Sequence, residues 1–384
     1  MFSFILAVIY VCFISLGLPD SLLGSAWPTI YKDLDVPFSF AGIISALICM
    51  CTIISSLLSD KVTKKFSSGI VTCVSILLTA TALIGFSIST EFWMLILFAI
   101  PYGLGAGGVD AALNNYVAIN YESKHMSWLH AMWGVGATIS PYIMGYALTN
   151  GAGWNQGYLI VSIIQFIICL FVFFTLPKWK GNKKEEEKNE TKKSLKLIEV
   201  MKIPGAISSV IMFFAYCALE QSAMLWASSY LVQNNNIKEE VAAILASMFA
   251  IGITLGRFIN GFLTLKLSDK KLIKLGLFII VIGVVLMFIP LNLTTIIGFI
   301  LIGLGCAPIY PSIIRLTPEL FGEENSQAMI GVQMACAYLG VLLMPPLFGV
   351  LADNFTISLL PIYLLIILIL MILMNYITNK KAVK

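Results

Sequence analysis

Four ionisable side chains interrupt stretches that are otherwise apolar: Asp20 in "GLPDSLLG", Asp110 in "GAGGVDAALNN", Glu220 in "CALEQSAMLWA" and Arg257 in "TLGRFING". A carboxyl group kept out of water favours its neutral form, so it can take and release a proton as solvent reaches it or withdraws. The alternative for each is a fixed hydrogen bond or ion pair between helices. Asp110 has Asn114 four residues on, on the same helical face, where an amide can bond a carboxyl, a hydroxylated ligand or both. Asp20 follows Pro19, whose ring removes a helical hydrogen bond and invites a break beside the acid. Arg257 cannot lose its charge and needs a carboxylate or an anionic ligand group; Glu220 is a candidate mate, and a gating or structural ion pair is the plainer reading.

Other residues could meet a solute. His130 and Trp133 stand at i, i+3 in "WLHAMWGVGATISPYIMG", Trp226 lies six residues after Glu220, and Gln165, Asn260 and Gln333 sit in further apolar runs. Aromatic planes with amides and acids suit a sugar, the rings against its C–H face and the polar groups on its hydroxyls. Tryptophans anchoring the water–lipid interface, and a histidine satisfied by helix packing, are the alternatives.

The surrounding composition says what must hold these groups. Of 384 residues, 59% are hydrophobic and 11% charged, and the mean hydropathy is +0.93, far from a soluble domain. Apolar runs of membrane-spanning length recur along the chain. Twelve are expected, at 4–30, 38–59, 67–89, 92–119, 126–149, 156–177, 206–232, 240–265, 271–290, 293–316, 326–350 and 357–378. At the centre of such a helix a charge costs roughly 2.5–3.5 kcal/mol on insertion scales, so the four ionisable groups should face a cavity or a partner. The fold class is therefore all-α and polytopic, with two six-helix bundles at 1–177 and 206–384 joined by a polar linker at 178–205 that ends in an amphipathic "SLKLIEVMKI".

Twenty-one of the 24 lysines and arginines fall on the termini and on connections after even-numbered spans, against Lys32 and Lys238 on the other side and Arg257 within a span. The positive-inside rule then places both termini in the cytoplasm. The net charge of +4 follows from this bias and implies no nucleic-acid partner. "MFSFILAVIYVCF" lacks a basic n-region and a cleavage site and reads as a retained first helix. The eight cysteines are scattered in apolar segments without CxxC, as small buried side chains would be.

Gly103-x-Gly105-x-x-Gly108 matches the phosphate-cradling GxGxxG literally. That fingerprint needs a preceding strand and a helix N-terminus open to water, whereas these glycines lie mid-span, where small residues let another helix approach. No P-loop, GxSxG or His/Cys ligand cluster is present, so neither an enzyme nor a cofactor is expected.

The halves resemble one another. "GLGAGGVD" (103–110) aligns with "GLGCAPIY" (303–310), and "GLPDSLLGSAW" (17–27) with "CALEQSAMLWA" (217–227), both at an offset of 200. Pro141-x-x-x-Gly145 aligns with Pro345-x-x-x-Gly349, and "SDK" at 59–61 with "SDK" at 268–270. Two parallel six-span copies enclose a midplane site that can open to either face.

At these residues the chain resembles the major facilitator superfamily. "SLLSDKVTKK" (56–65) matches G-x-x-x-D-[RK]-x-G-[RK]-[RK], with Ser56 and Thr63 in place of the glycines, and "LGRFINGFLTLKLSDKK" carries the second-half counterpart. Within it the chain is similar to the fucose–proton symporter branch and related sugar porters, through Asp20 in the first span, Asp110 and Asn114 in the fourth, and Gly256-Arg257-Phe258 in the eighth. Pro19 stands where that branch usually has Asn. "GATISPYIMG" (136–145) partly matches the fifth-helix motif of drug–proton antiporters, with Ser140 for glycine, yet "LFAIPYGLG" lacks their fourth-helix arginine.

The resemblance implies proton coupling through the acids with a sugar bound nearby. The expected function is a secondary transporter that works by alternating access and imports a sugar or similar solute with protons. The compact loops and lysine-rich tail point to a bacterial inner membrane, and a single chain is the expected functional unit. Asp20, Asp110 and Glu220 would handle protons. Asp20, Asp110, Asn114, His130, Trp133, Glu220, Trp226, Arg257 and Gln333 would contact substrate, and Asp60, Lys61, Lys64, Lys65 and Asp269 would brace the cytoplasmic side. The other readings are proton-driven efflux of amphipathic compounds and a non-transporting membrane sensor.

Overall fold

Hydropathy dictates the elements. In the computed structural model, which describes residues 4–121, 123–179 and 201–382, nearly every apolar run is a helix. The chain runs through α1 (Phe4–Asp20), α2 (Leu22–Asp33), α3 (Phe40–Phe66), α4 (Ser68–Ser87), α5 (Phe92–Asn120), α6 (Ser123–Thr149) and α7 (Gly153–Thr175). Beyond the linker come α8 (Ala206–Gln233), α9 (Glu239–Leu263), α10 (Asp269–Leu286), α11 (Asn292–Cys306), α12 (Ile309–Phe321), α13 (Glu323–Asn354) and α14 (Leu360–Ala382). The sequence expects twelve passages, and the fourteen α-helices among the described residues make twelve, because α1 with α2 and α11 with α12 are broken single spans. The first break falls at Asp20 and Ser21 after Pro19, and the second at Ala307 and Pro308.

Ten passages are long and apolar enough to cross a membrane. The other two are α6, diluted by Gly134, Gly136, Ser140 and Pro141, and α10, which opens with Asp269, Lys270 and Lys271. The side chains of Asp60, Lys61 and Lys64, and linker residues 180–200, lie outside the described residues.

Within the first half α5 packs between α3 and α4, and α6 packs on α1; within the second, α8 packs on α13 and α14, and α11 on α9 and α10. The halves meet along α6 with α9, α3 with α13, and α2 with α8. The GxGxxG segment is a packing surface: a Cβ on Gly103 would stand 2.3 Å from the Ile48 carbonyl oxygen, and one on Gly105 2.5 Å from that of Ser75. Glycine serves here to bring α5 against α3 and α4.

Lys178 lies over the Phe4 ring, and Gly205 lies against Ala382, so both described ends of the chain share one end of the molecule, called inner below, with Lys178 and Gly205. At the opposite, outer end the halves are sealed. Glu239 of α9 pairs with Lys32 of α2 and accepts from Thr29 at 2.9 Å, while Asp353 of α13 accepts from the Ser39 amide at 3.0 Å ahead of α3. Beneath them Phe38 packs on Trp226 with ring centroids 4.7 Å apart, and Ser228 donates to the Ser25 carbonyl.

Candidate functional site

The ionisable groups gather at mid-depth, below the outer seal. Asp20 ends α1 at its break, and its carboxylate accepts two hydrogen bonds from neutral donors: Trp133 Nε1 of α6 at 2.6 Å and Tyr102 Oη of α5 at 3.0 Å. Asp110, on α5, accepts from Asn114 Nδ2 at 2.9 Å, the contact expected from their spacing, and lies within electrostatic reach of Asp20. Both acids are only partly buried, as are Asn114, His130, Trp133 and Arg257. Mid-helix polar groups that keep some exposure face an opening between helices rather than a sealed core.

The second half supplies the counterpart. Arg257 Nη2 of α9 stands 3.8 Å from Glu220 Oε1 of α8, and Tyr216 adds a hydrogen bond to that carboxylate. Arg257 also reaches across the interface: Nη1 donates to the His130 carbonyl at 3.0 Å, and the guanidinium carbon lies 4.9 Å from the centroid of the Trp133 ring. Among the described residues the hydrogen bonds and ion pairs between the halves lie at this level or further out.

Two residues expected at the site are elsewhere. Trp226 is fully buried in the outer seal, its indole donating to the Pro345 carbonyl at 2.9 Å. Gln333 is enclosed within the second half, donating to Ser209 and accepting from Thr317. Of the inner charge motif, Lys65 is exposed, and Asp269 pairs with Arg315 of its own half at 2.6 Å while Lys270 reaches Glu319. Gln165 donates to the Ser15 carbonyl inside the first half, and Asn260 is buried.

Sequence reading passes over the tyrosines. Tyr310 stands at the position that aligns with Asp110 in the offset of 200, and its ring packs near His130 and Phe213. Tyr310 and Tyr338 lie within electrostatic reach of Asp110, and Tyr338 shares a hydrogen bond with Ser56 across the interface. The alignment of "GLGAGGVD" with "GLGCAPIY" carries that signal. Among the described residues no three His, Cys, Asp or Glu side chains gather as metal ligands. The eight cysteines are unpaired, although the sulfurs of Cys73 and Cys169 face each other at 3.8 Å.

A two-half helical array with mid-depth acids, sealed at one end, is the architecture of a membrane transporter. The Major Facilitator Superfamily model matches residues 9–234 and 209–384, and the chain belongs to that family. It is 22% identical over 388 residues to the Saccharomyces cerevisiae protein named Bypass of stop codon protein 6, covering 92% of this chain and 78% of that one. It is 24% identical to the glucose/mannose transporter GlcP of Bacillus subtilis, covering 80% and 78%. The multidrug efflux pump SdrM of Staphylococcus aureus is 27% identical over 44% of this chain and 39% of the pump. Among solved structures, a bacterial homolog to the human lysosomal transporter Spinster, inward-facing and unoccupied, superposes with a TM-score of 0.69 at 12% identity over 98% of this chain and 96% of that one. The protein is thus a multi-pass membrane transporter of a small molecule and not an enzyme.

Proposed function

We propose that the protein takes up a neutral sugar or a similar hydroxylated solute together with protons, by alternating access between its two halves. The observation that carries this reading is the pair Asp20 and Asp110, two partly buried mid-depth carboxyl groups held, among the described residues, by neutral donors. Such groups can be ionised or neutral without stranding a charged partner, which is what a reversible proton site requires. Asn114, His130 and the Trp133 ring, with Tyr310 and Tyr338 nearby, offer the amide, imidazole, hydroxyl and aromatic surface that a polyol needs.

Charge narrows the solute. Arg257 is balanced by Glu220, so the remaining acids make the site neutral or negative, and an anionic sugar acid would be repelled where a neutral one is not. The resemblance to GlcP over most of both chains agrees with a neutral sugar. On the positive-inside reading the inner end is cytoplasmic; the proposal further takes one chain as the functional unit and the bacterial inner membrane as its place.

A second reading, export of amphipathic cations in exchange for protons, has one specific observation behind it: a neutral-to-negative site also suits cations, and SdrM matches part of the chain. Uptake by proteoliposomes under an imposed pH gradient separates the two. Accumulation of radiolabelled glucose or mannose, abolished by a protonophore, is the expected result. Gradient-driven movement of an amphipathic dye, with no sugar flux, would replace import with export. Sugar uptake indifferent to the protonophore would remove the proton from the scheme.

A further inference from the structure

We propose that Trp133 is the positioning residue through which the protonation state of Asp20 reaches the opposite half of the molecule. The inference rests on the proton-coupled reading above. Among the described residues Trp133 alone touches both Asp20 and Arg257. Its indole N–H donates to Asp20 Oδ2 at 2.6 Å, and its ring centroid lies 4.9 Å from the Arg257 guanidinium carbon. The N–H is on the ring edge and the cation sits over the face, so both contacts are made at once. The backbone that carries the tryptophan is held in this place. A Cβ on Gly17 would lie 2.0 Å from the Trp133 carbonyl oxygen, so the α6 backbone is pressed onto α1 one turn before Asp20.

Arg257 is divided between the halves. It donates to the His130 carbonyl and covers Trp133 on α6, while its other nitrogen faces Glu220 on α8. The remaining groups around this chain of contacts are few. From α5, Tyr102 donates to Asp20 and Asp110 lies within electrostatic reach of it. Tyr158 of α7 lies within electrostatic reach of Tyr102. His130 packs edge-on against Phe13 of α1 and within reach of Arg257, and Tyr216 bonds Glu220.

With Asp20 ionised, the indole N–H makes a charge-assisted hydrogen bond, and the ring is held beneath the guanidinium. When hydronium gives its proton to the Asp20 carboxylate and leaves as water, that bond falls to the strength of one between neutral groups and the ring is free to turn. Arg257 then loses its aromatic face on α6, Glu220 remains as its charged partner, and the mid-depth contact between α6 and α9 loosens. No other covalent bond to hydrogen changes, and Trp133 keeps its N–H throughout.

The test needs no substrate. Spin labels at Thr90 and Lys238, exposed at the outer ends of the two halves, report the balance between outer-closed and outer-open forms of the full chain in lipid nanodiscs as pH is lowered. The wild type is expected to shift its populations with pH, and D20N to lose the shift. W133F keeps the aromatic face and loses the donor; W133Q keeps a donor and loses the face. In each, the pH-driven change should shrink by roughly fivefold or more although Asp20 is present. Y102F, which removes the other donor to the same acid, should keep a pH-driven shift. A wild-type response in W133F or W133Q, with D20N unresponsive, overturns the role of Trp133 and leaves proton coupling standing. A wild-type response in D20N, or none in the wild type, overturns proton coupling by Asp20 instead. Either tryptophan variant that elutes as a single species decides the question.

Discussion

The acids of the two halves are set in opposite company. Asp20 and Asp110 accept from an indole, a phenol and an amide, none of which carries charge. Glu220 faces Arg257, whose guanidinium stays charged at any working pH. Neutralising Asp20 weakens two hydrogen bonds and leaves nothing unbalanced, while neutralising Glu220 would leave a cation alone in the cleft. The same residue class therefore serves two ends. On the proposed reading, the first half holds the groups that take up protons and the second a charge pair for them to act upon.

Breaking the pair should have the largest effect. R257Q leaves Glu220 buried without its cation, an error worth about 3–5 kcal/mol in comparable sites. The expected outcome is a large drop in the melting temperature of the purified protein and loss of transport, and the double variant E220Q/R257Q should recover most of the stability without the transport. A double variant no more stable than R257Q would contradict the pairing.

Altering the first-half acids should spare the fold and disable the work. D20N and D110N are expected to melt within a few degrees of the wild type. Each should lose gradient-driven accumulation by about tenfold or more while still exchanging labelled for unlabelled sugar across the membrane. Exchange lost together with accumulation would mark the acids as essential to substrate binding and blur the contrast with Glu220.

N114A removes the amide bonded to Asp110 and should raise the sugar KM by roughly 5- to 50-fold, the range for one lost polar contact to a charged or hydroxylated group, with a smaller change in kcat. The smallest effect belongs to the outer seal. Lys32 and Glu239 are partly exposed, and pairs of that kind are worth about 0.2–1 kcal/mol. E239Q should therefore leave the melting temperature of the purified protein nearly unchanged.

The passages were legible because a membrane helix must be apolar along most of its length, and the duplicated spacing exposed the two halves. Asp20, Asp110, Glu220 and Arg257 were legible for the converse reason, since charges are rare in such runs. The direction a side chain takes around its helix was not. Trp226 follows Glu220 by six residues and faces the outer seal, and Gln333 turns toward Ser209 within its own half. Hydropathy gives no azimuth when every face of a helix is apolar. The tyrosines were overlooked because a phenol in an apolar run looks like ordinary packing until an acid is found beside it. The joint role of Trp133 depends on how closely α1, α6 and α9 approach, and that is set by glycines far apart in sequence.

The lock formed by Lys32, Glu239, Thr29, Ser39 and Asp353 joins residues of both halves on one small surface. A nanobody raised against that composite epitope would bind only while the two parts are together, and would hold them so without touching the acids at mid-depth. The same seam thus offers inhibition by shape alone, indifferent to which solute the cleft carries.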